Sequence, residues 1–185
     1  CQSATSADLP PNSLDAVLTD PPYFGNVQYA ELMDFCYVWL RRLIGENNPT
    51  FKLTSTRHPD ELTRNVTMER GFDHFTQGLS SVFQRMAIAL KPGAPFVFTY
   101  HHNKLDAYYP IAVALLDAGL ICSSSIPCPA EMGASIHING TASSIIDTIF
   151  VCRLHGNVSK NLIVSSPQEV ADLVHLDLER LREGN

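Results

Sequence analysis

The stretch Leu14-Asp15-Ala16-Val17-Leu18-Thr19 is short, mostly apolar and stopped by Asp20-Pro21-Pro22. A run of that kind suits a central β-strand, and proline ends it because it brings no ladder donor. Asp20 is therefore expected at the carboxyl end of a strand. Immediately downstream, Leu32, Phe35, Cys36, Trp39, Leu40 and Leu43 recur at helical spacing, with Gly45 placed to end the helix. A strand passing through a rigid turn into an amphipathic helix is the repeating unit of α/β folds.

The remaining chain continues that alternation. Residues 46–70 hold no period and are expected to form a long surface loop, of the kind that is commonly functional or mobile. Phe72, Phe75, Leu79, Val82, Phe83, Met86 and Leu90 mark a second helix, stopped by Lys91-Pro92-Gly93. Pro95 to Tyr100 reads as a strand, Leu105 to Ala118 as a helix ended by Gly119, and Leu120–Ile126 and Ile145–Leu154 as two β-branched strands. The pattern predicts a mostly parallel sheet covered on both faces, with the two closing strands making an antiparallel edge. Ser166-Pro167-Gln168-Glu169 has capping-box spacing ahead of an apolar stripe at Val170, Leu173, Val174, Leu178 and Leu181, which predicts a C-terminal amphipathic helix. The expected division is a unit over 1–155 and a linker plus helix over 156–185.

At 185 residues, a chain that is 45% hydrophobic and 17% charged can bury the core of one domain, and no apolar run approaches the ~20 residues of a membrane span. Five cysteines without a C-x-x-C pair encode neither a disulfide framework nor a zinc site. Reduced thiols in a cytoplasmic setting fit best. The N-terminus has neither Met nor a signal pattern, which suggests a piece of something longer. A net charge of -6 opposes a general nucleic-acid coat, so any such contact must be local.

Asp20-Pro21-Pro22-Tyr23 carries the chemistry. An exocyclic amine on a purine or pyrimidine is a poor nucleophile because its lone pair is delocalised into the ring. A carboxylate and a backbone carbonyl that accept its two hydrogens would localise that pair and stabilise the charge that develops on nitrogen. Asp20 and the Pro21 carbonyl can form such a pair. Pro21 and Pro22 hold the backbone stiff, and Tyr23 offers a ring face for an extruded base. The competing reading is an ordinary strand-ending turn; the strand before the motif and the helix after it favour the chemical one.

Thr19-Asp20-Pro21-Pro22-Tyr23 resembles the catalytic motif of amino-methyltransferases that modify adenine N6 or cytosine N4. The run through Asn26, Val27, Tyr29, Ala30, Asp34, Phe35, Tyr37, Val38, Trp39, Leu40 and Arg41 resembles, more closely, prokaryotic adenine-specific DNA methylases that begin with a domain of unknown function. The resemblance continues through Leu90-Lys91-Pro92-Gly93, Thr99-Tyr100-His101-His102 and Glu131. Such relatives often carry a second Tyr and an Asp where this chain has Phe24 and Gly25.

The resemblance implies a Rossmann-like class I methyltransferase fold with S-adenosylmethionine as cofactor, held partly by Gln2, Ser3 and Asp20. It also implies that this chain is the second half of that fold, strands four to seven. The family's glycine-rich cofactor loop precedes the motif and has no counterpart here. A cut sheet exposes an unpaired edge, so a missing N-terminal half or a second chain is an expected partner. The implied activity is methyl transfer to adenine N6 in DNA, with cytosine N4 or an RNA base as alternatives. A non-catalytic fragment that binds nucleic acid or a partner in a restriction or defence assembly is the competing class.

Other residues complete the list of candidates. His101 and His102 follow a strand at the edge where ligands bind in open α/β sheets, and could contact base, cofactor or phosphate. Asn26 and Tyr29 could border the base, and no metal site is expected. Arg41, Arg42, Lys52, Arg57, Arg64 and Arg70 outnumber Glu46, Asp60, Glu61 and Glu69, making residues 41–70 the candidate for contact with a nucleic-acid backbone. Arg41 and Arg42 also suit the C-terminal end of a helix dipole. Trp39 and the phenylalanines are expected in the core.

Overall fold

The computed structural model describes residues 3–25, 27–45, 48–129, 146–157, 164 and 166–183. They form a mixed α/β structure around a four-stranded sheet of order β1-β2-β4-β3, with β1 at Val17–Thr19, β2 at Phe96–Tyr100, β3 at Leu120–Pro129 and β4 at Ile146–Leu154. The helices are α1 (Tyr29–Ile44), α2 (Phe72–Ala89), α3 (Tyr109–Asp117) and α4 (Pro167–Glu183). A 3-10 turn over Leu105–Tyr108 leads into α3, where the sequence predicts one continuous helix.

β1 and β2 are parallel, and β4 is antiparallel to both of its neighbours. The two closing strands thus form the expected antiparallel edge, with β3 outermost and β4 inside it, but of the three pairings among the described residues only β1–β2 is parallel, so the sheet is not mostly parallel. Composition gives the reason. β4 carries Ile149, Phe150, Val151 and Cys152 and suits an interior place, whereas β3 carries Ser123-Ser124-Ser125, Pro127 and Pro129, residues that an edge tolerates.

Alternation along β2 turns Phe96, Phe98 and Tyr100 into the core, where they meet Phe75, Leu79, Val82, Phe83 and Ala87 of α2 and Ile111 and Ala114 of α3. Phe83 sits at the centre, its ring 4.7 Å from Phe96 and 5.4 Å from Phe98. The opposite face carries Leu18, Val97, Thr99 and Ile149; Leu18 is 77% exposed, and the other three are half-buried. The cover expected on both faces is thus incomplete at β1.

A second correction concerns α1. Its apolar stripe does not enter the core: Phe35 is 72%, Trp39 54% and Leu43 81% exposed. The helix is instead held by polar groups of the segment C-terminal to it. Asp34 accepts from Ser55 Oγ at 2.8 Å, Thr56 N at 2.5 Å and Thr56 Oγ1 at 2.7 Å, and Glu61 Oε1 accepts from Ala30 N at 2.9 Å. Gln28 Nε2 donates to Arg64 O at 2.6 Å, and the buried Thr63 donates to Val27 O at 2.9 Å. These bonds tie the irregular stretch down along α1, so its lack of periodicity does not make it loose.

At α4 the expected cap is present, with Glu169 N donating to Ser166 Oγ at 3.2 Å. Val170, Leu173, Val174 and Leu178 are exposed. Among the described residues no helix is long and apolar enough to cross a membrane.

Candidate active site

β1 ends at Thr19, and its register with β2 pairs Thr19 with Phe98. The next residues, Asp20 and Thr99, therefore lie side by side, and Thr99 Oγ1 donates a hydrogen bond to Asp20 Oδ1. Pro21 is buried and Pro22 half-buried, as expected of a stiff turn against the sheet. The Tyr23 ring packs 5.1 Å from that of Tyr100 at 57°. Its hydroxyl hydrogen-bonds with Thr99 and Asp20; burial above all, with the nearby Asp20 and Asp147 carboxylates, pushes it well above the ordinary tyrosine value. Tyr29 Oη accepts from Tyr23 N at 3.4 Å and is likewise raised, chiefly by burial. Tyr100, fully buried, is pushed up to about 12 by burial and donates to Ala107 O at 2.9 Å. All three hydroxyls thus keep their protons at neutral pH.

Asp20 stands between two cavities. One of about 320 Å³ is lined by Asp20, Pro22, Tyr29, Glu61 and Leu62. The other, about 340 Å³, lies along the open sheet face between Leu18, Thr19, Asp20, Val97, Thr99 and Ile149. Leu62 reaches the first cavity because Gly78 of α2 has no side chain; a Cβ there would fall 2.1 Å from Leu62 Cδ2. Glu61 is fixed in the wall by the Ala30 amide and by Arg70 Nη1 at 3.1 Å from its Oε2.

The two histidines stand at the end of the strand beside β1, but neither lines the Asp20 cavities. His101 Nε2 pairs with Asn103 Oδ1 at 3.1 Å. His102 Nδ1 accepts from Lys104 N at 3.0 Å, which leaves the proton of a neutral ring on Nε2. His102 lines a larger cavity of about 740 Å³ with Phe24, Arg64, Phe72 and Lys104. Asn26, Gln2 and Glu131 lie outside the described residues.

The basic segment divides. Lys52 and Arg64 are exposed, and Arg42 lies 6.0 Å over the Trp39 ring. Arg41 Nε donates to Phe51 O at 3.0 Å, and Arg57 pairs with Glu31 at 3.5 Å and Asp34 at 3.9 Å. Arg70 is only 4% exposed, its guanidinium spent on Glu61 and the carbonyls of His58 and Glu61. It is a structural tether and is withdrawn as a backbone contact, because a cation this buried cannot reach a phosphate. Thr99 and Glu61 are site residues that sequence reasoning missed.

The comparisons with known proteins add little. No protein-family profile and no curated protein matches this chain. A crystal structure from Thermus thermophilus, of a protein provisionally named a DNA modification methylase, matches it with a TM-score of 0.46 at 16% identity, over 89% of this chain. The chain spans about half, 54%, of that protein.

Of the three residues expected to face a cofactor, Asp20 borders the cavity on the open sheet face, Ser3 is exposed with its hydroxyl 2.7 Å from that of Thr5, and Gln2 lies outside the described residues.

Proposed function

We propose that this chain supplies the amine-binding side of an S-adenosylmethionine-dependent methyltransferase that acts on an exocyclic base amine, adenine N6 in DNA being the favoured target. The observation that carries this reading is Asp20-Pro21-Pro22-Tyr23 at the carboxyl end of β1, its carboxylate anchored from β2 and flanked by a cavity on either side. Carboxyl ends of strands in open α/β sheets are where ligands bind.

In this reading Asp20 and the Pro21 carbonyl accept the two amine hydrogens, and Asp20 takes the proton that nitrogen sheds. The cofactor, when bound, supplies an electrophilic methyl group. Gln2, Ser3 and Asp20 are the residues of this chain proposed to face it. The cavity beside Pro22 and Tyr29 takes the base, with Asn26 at its border. Tyr23 contributes in two ways, its hydroxyl toward Asp20 and its ring toward the base. His101 and His102 are proposed for the neighbouring nucleotides, with Arg41, Arg42, Lys52, Arg57 and Arg64 along the backbone. The edge of β1 away from β2, which pairs with no strand among the described residues, suits the rest of a Rossmann-like sheet, from the same protein or a second chain.

The test is transfer of a labelled methyl group to DNA by the full-length protein that carries this chain, beside its Asp20→Ala variant. We expect a fall of about a hundredfold or more in the variant. Nucleoside digestion then distinguishes methyladenine from N4-methylcytosine, and an RNA substrate separates the third case. Equal transfer by both proteins would falsify the role of Asp20.

A further inference from the structure

An aspartate at the end of a strand can rotate about two side-chain torsions. A carboxylate that has to meet one N–H of a base amine loses much of its effect if it does, because catalysis by orientation depends on small displacements. The restraint comes here from the neighbouring strand. Parallel pairing of β1 with β2 sets Asp20 against Thr99, and the same register across β2 and β4 sets Thr99 against Ile149. The β-branched Thr99 side chain is stiff at χ1. It is half-buried between a carboxylate on one flank and an apolar residue on the other, and its hydroxyl donates to Asp20 Oδ1.

We propose that Thr99 is the positioning residue of this site: by occupying Asp20 Oδ1 from the adjacent strand, it leaves Oδ2 as the acceptor for the base amine. The inference rests on the reading of Asp20 as the amine acceptor. The titratable groups around Asp20 make the hydroxyl matter. They are the Tyr23 and Tyr29 hydroxyls, the Glu61 carboxylate in the wall of the smaller cavity and Asp147 near the Tyr23 hydroxyl from β4. None of these is a cation. No ion pair with these groups therefore fixes the Asp20 carboxylate, and the Thr99 hydroxyl is the contact from the neighbouring strand that sets its orientation.

The test compares Thr99→Val, which swaps the hydroxyl for a methyl at nearly constant volume and keeps a strand-favouring residue, with Thr99→Ser, which keeps the donor. Both are made in the full-length protein, and unchanged thermal unfolding checks that they fold. In methyl transfer to DNA, Thr99→Val is expected to lower kcat about tenfold with KM for DNA little changed, and Thr99→Ser to restore most of the loss.

A second readout does not need turnover: in crystal structures of the variants, the Asp20 carboxylate should leave its single orientation in Thr99→Val and keep it in Thr99→Ser. An unmoved Asp20 carboxylate and unchanged kcat in Thr99→Val overturn the proposal. A wild-type protein that transfers no methyl group, while the carboxylate still reorients in Thr99→Val, strikes the reading of the site and upholds the coupling of Thr99 to Asp20.

Discussion

Helices α1 and α2 carry the same apolar rhythm and end in opposite surroundings. Phe75, Leu79 and Phe83 of α2 are buried against the sheet, while Phe35, Trp39 and Leu43 of α1 face outward. The difference arises in the chain just beyond each helix. α2 runs into the turn at Lys91-Pro92-Gly93, where Gly93 adopts φ +80°, and the chain enters β2 at once, folding the helix back on its own strand. α1 leads into the long irregular stretch, which grips it through Asp34, Ala30 and Gln28 on its polar side. Periodicity thus reports that a helix forms and which face is apolar. It says nothing of what covers that face.

The largest effect expected from this contrast is in α2. Phe83→Ala removes a fully buried ring from between Phe96 and Phe98 and should cost about 3–5 kcal/mol, read as a lowered denaturant midpoint. A cost under about 1 kcal/mol would mean that the core packs differently from the arrangement described. The grip on α1 offers a smaller effect with a pH signature. Asp34 is held below its ordinary value of 3.8, first by the Thr56 amide, then by the Thr56 and Ser55 hydroxyls. A carboxylate depressed in the folded state adds stability that is present above its unfolded pKa and is lost as pH falls through the folded one. Thermal unfolding should therefore lose a contribution from Asp34 below about pH 4. Asp34→Asn should flatten that acid-side slope and lower stability at neutral pH; an identical slope in both proteins would remove Asp34 from the tether.

The sequence made some of this legible and some not, for physical reasons. The end of β1 and the place of Asp20 were readable because prolines act locally on the backbone, and the second helix because its stop is a local turn. The insertion of β4 between β2 and β3 was not, since strand order depends on pairing between residues far apart in the chain. Thr99 escaped for the same reason: it meets Asp20 only through the register of β1 with β2. Arg70 could not be told from Arg64 by composition, although one is buried on Glu61 and the other is exposed. Burial of a charge is settled by its partner, and Glu61 gave no sign of being one. The expected places of Asp20 and of the histidines after β2 hold in the fold, while the roles assigned to them await the methyl-transfer experiments.

The smallest effect tests the contrast most directly. Phe35 is 72% exposed on α1 at a position whose spacing matches that of core residues on α2. In the arrangement described, Phe35→Ser removes a ring that already faces water, and stability should change by no more than about 0.5 kcal/mol. Solubility should rise at the same time, because a contiguous apolar surface is a liability in water. In the full-length protein, a loss of about 2 kcal/mol or more would show that something covers this face there, since only burial gives a phenylalanine that weight. Phe83→Ala supplies the calibration in the same protein. If the two substitutions cost alike, α1 and α2 are both core helices in the complete assembly, and the contrast belongs to this segment of the chain alone.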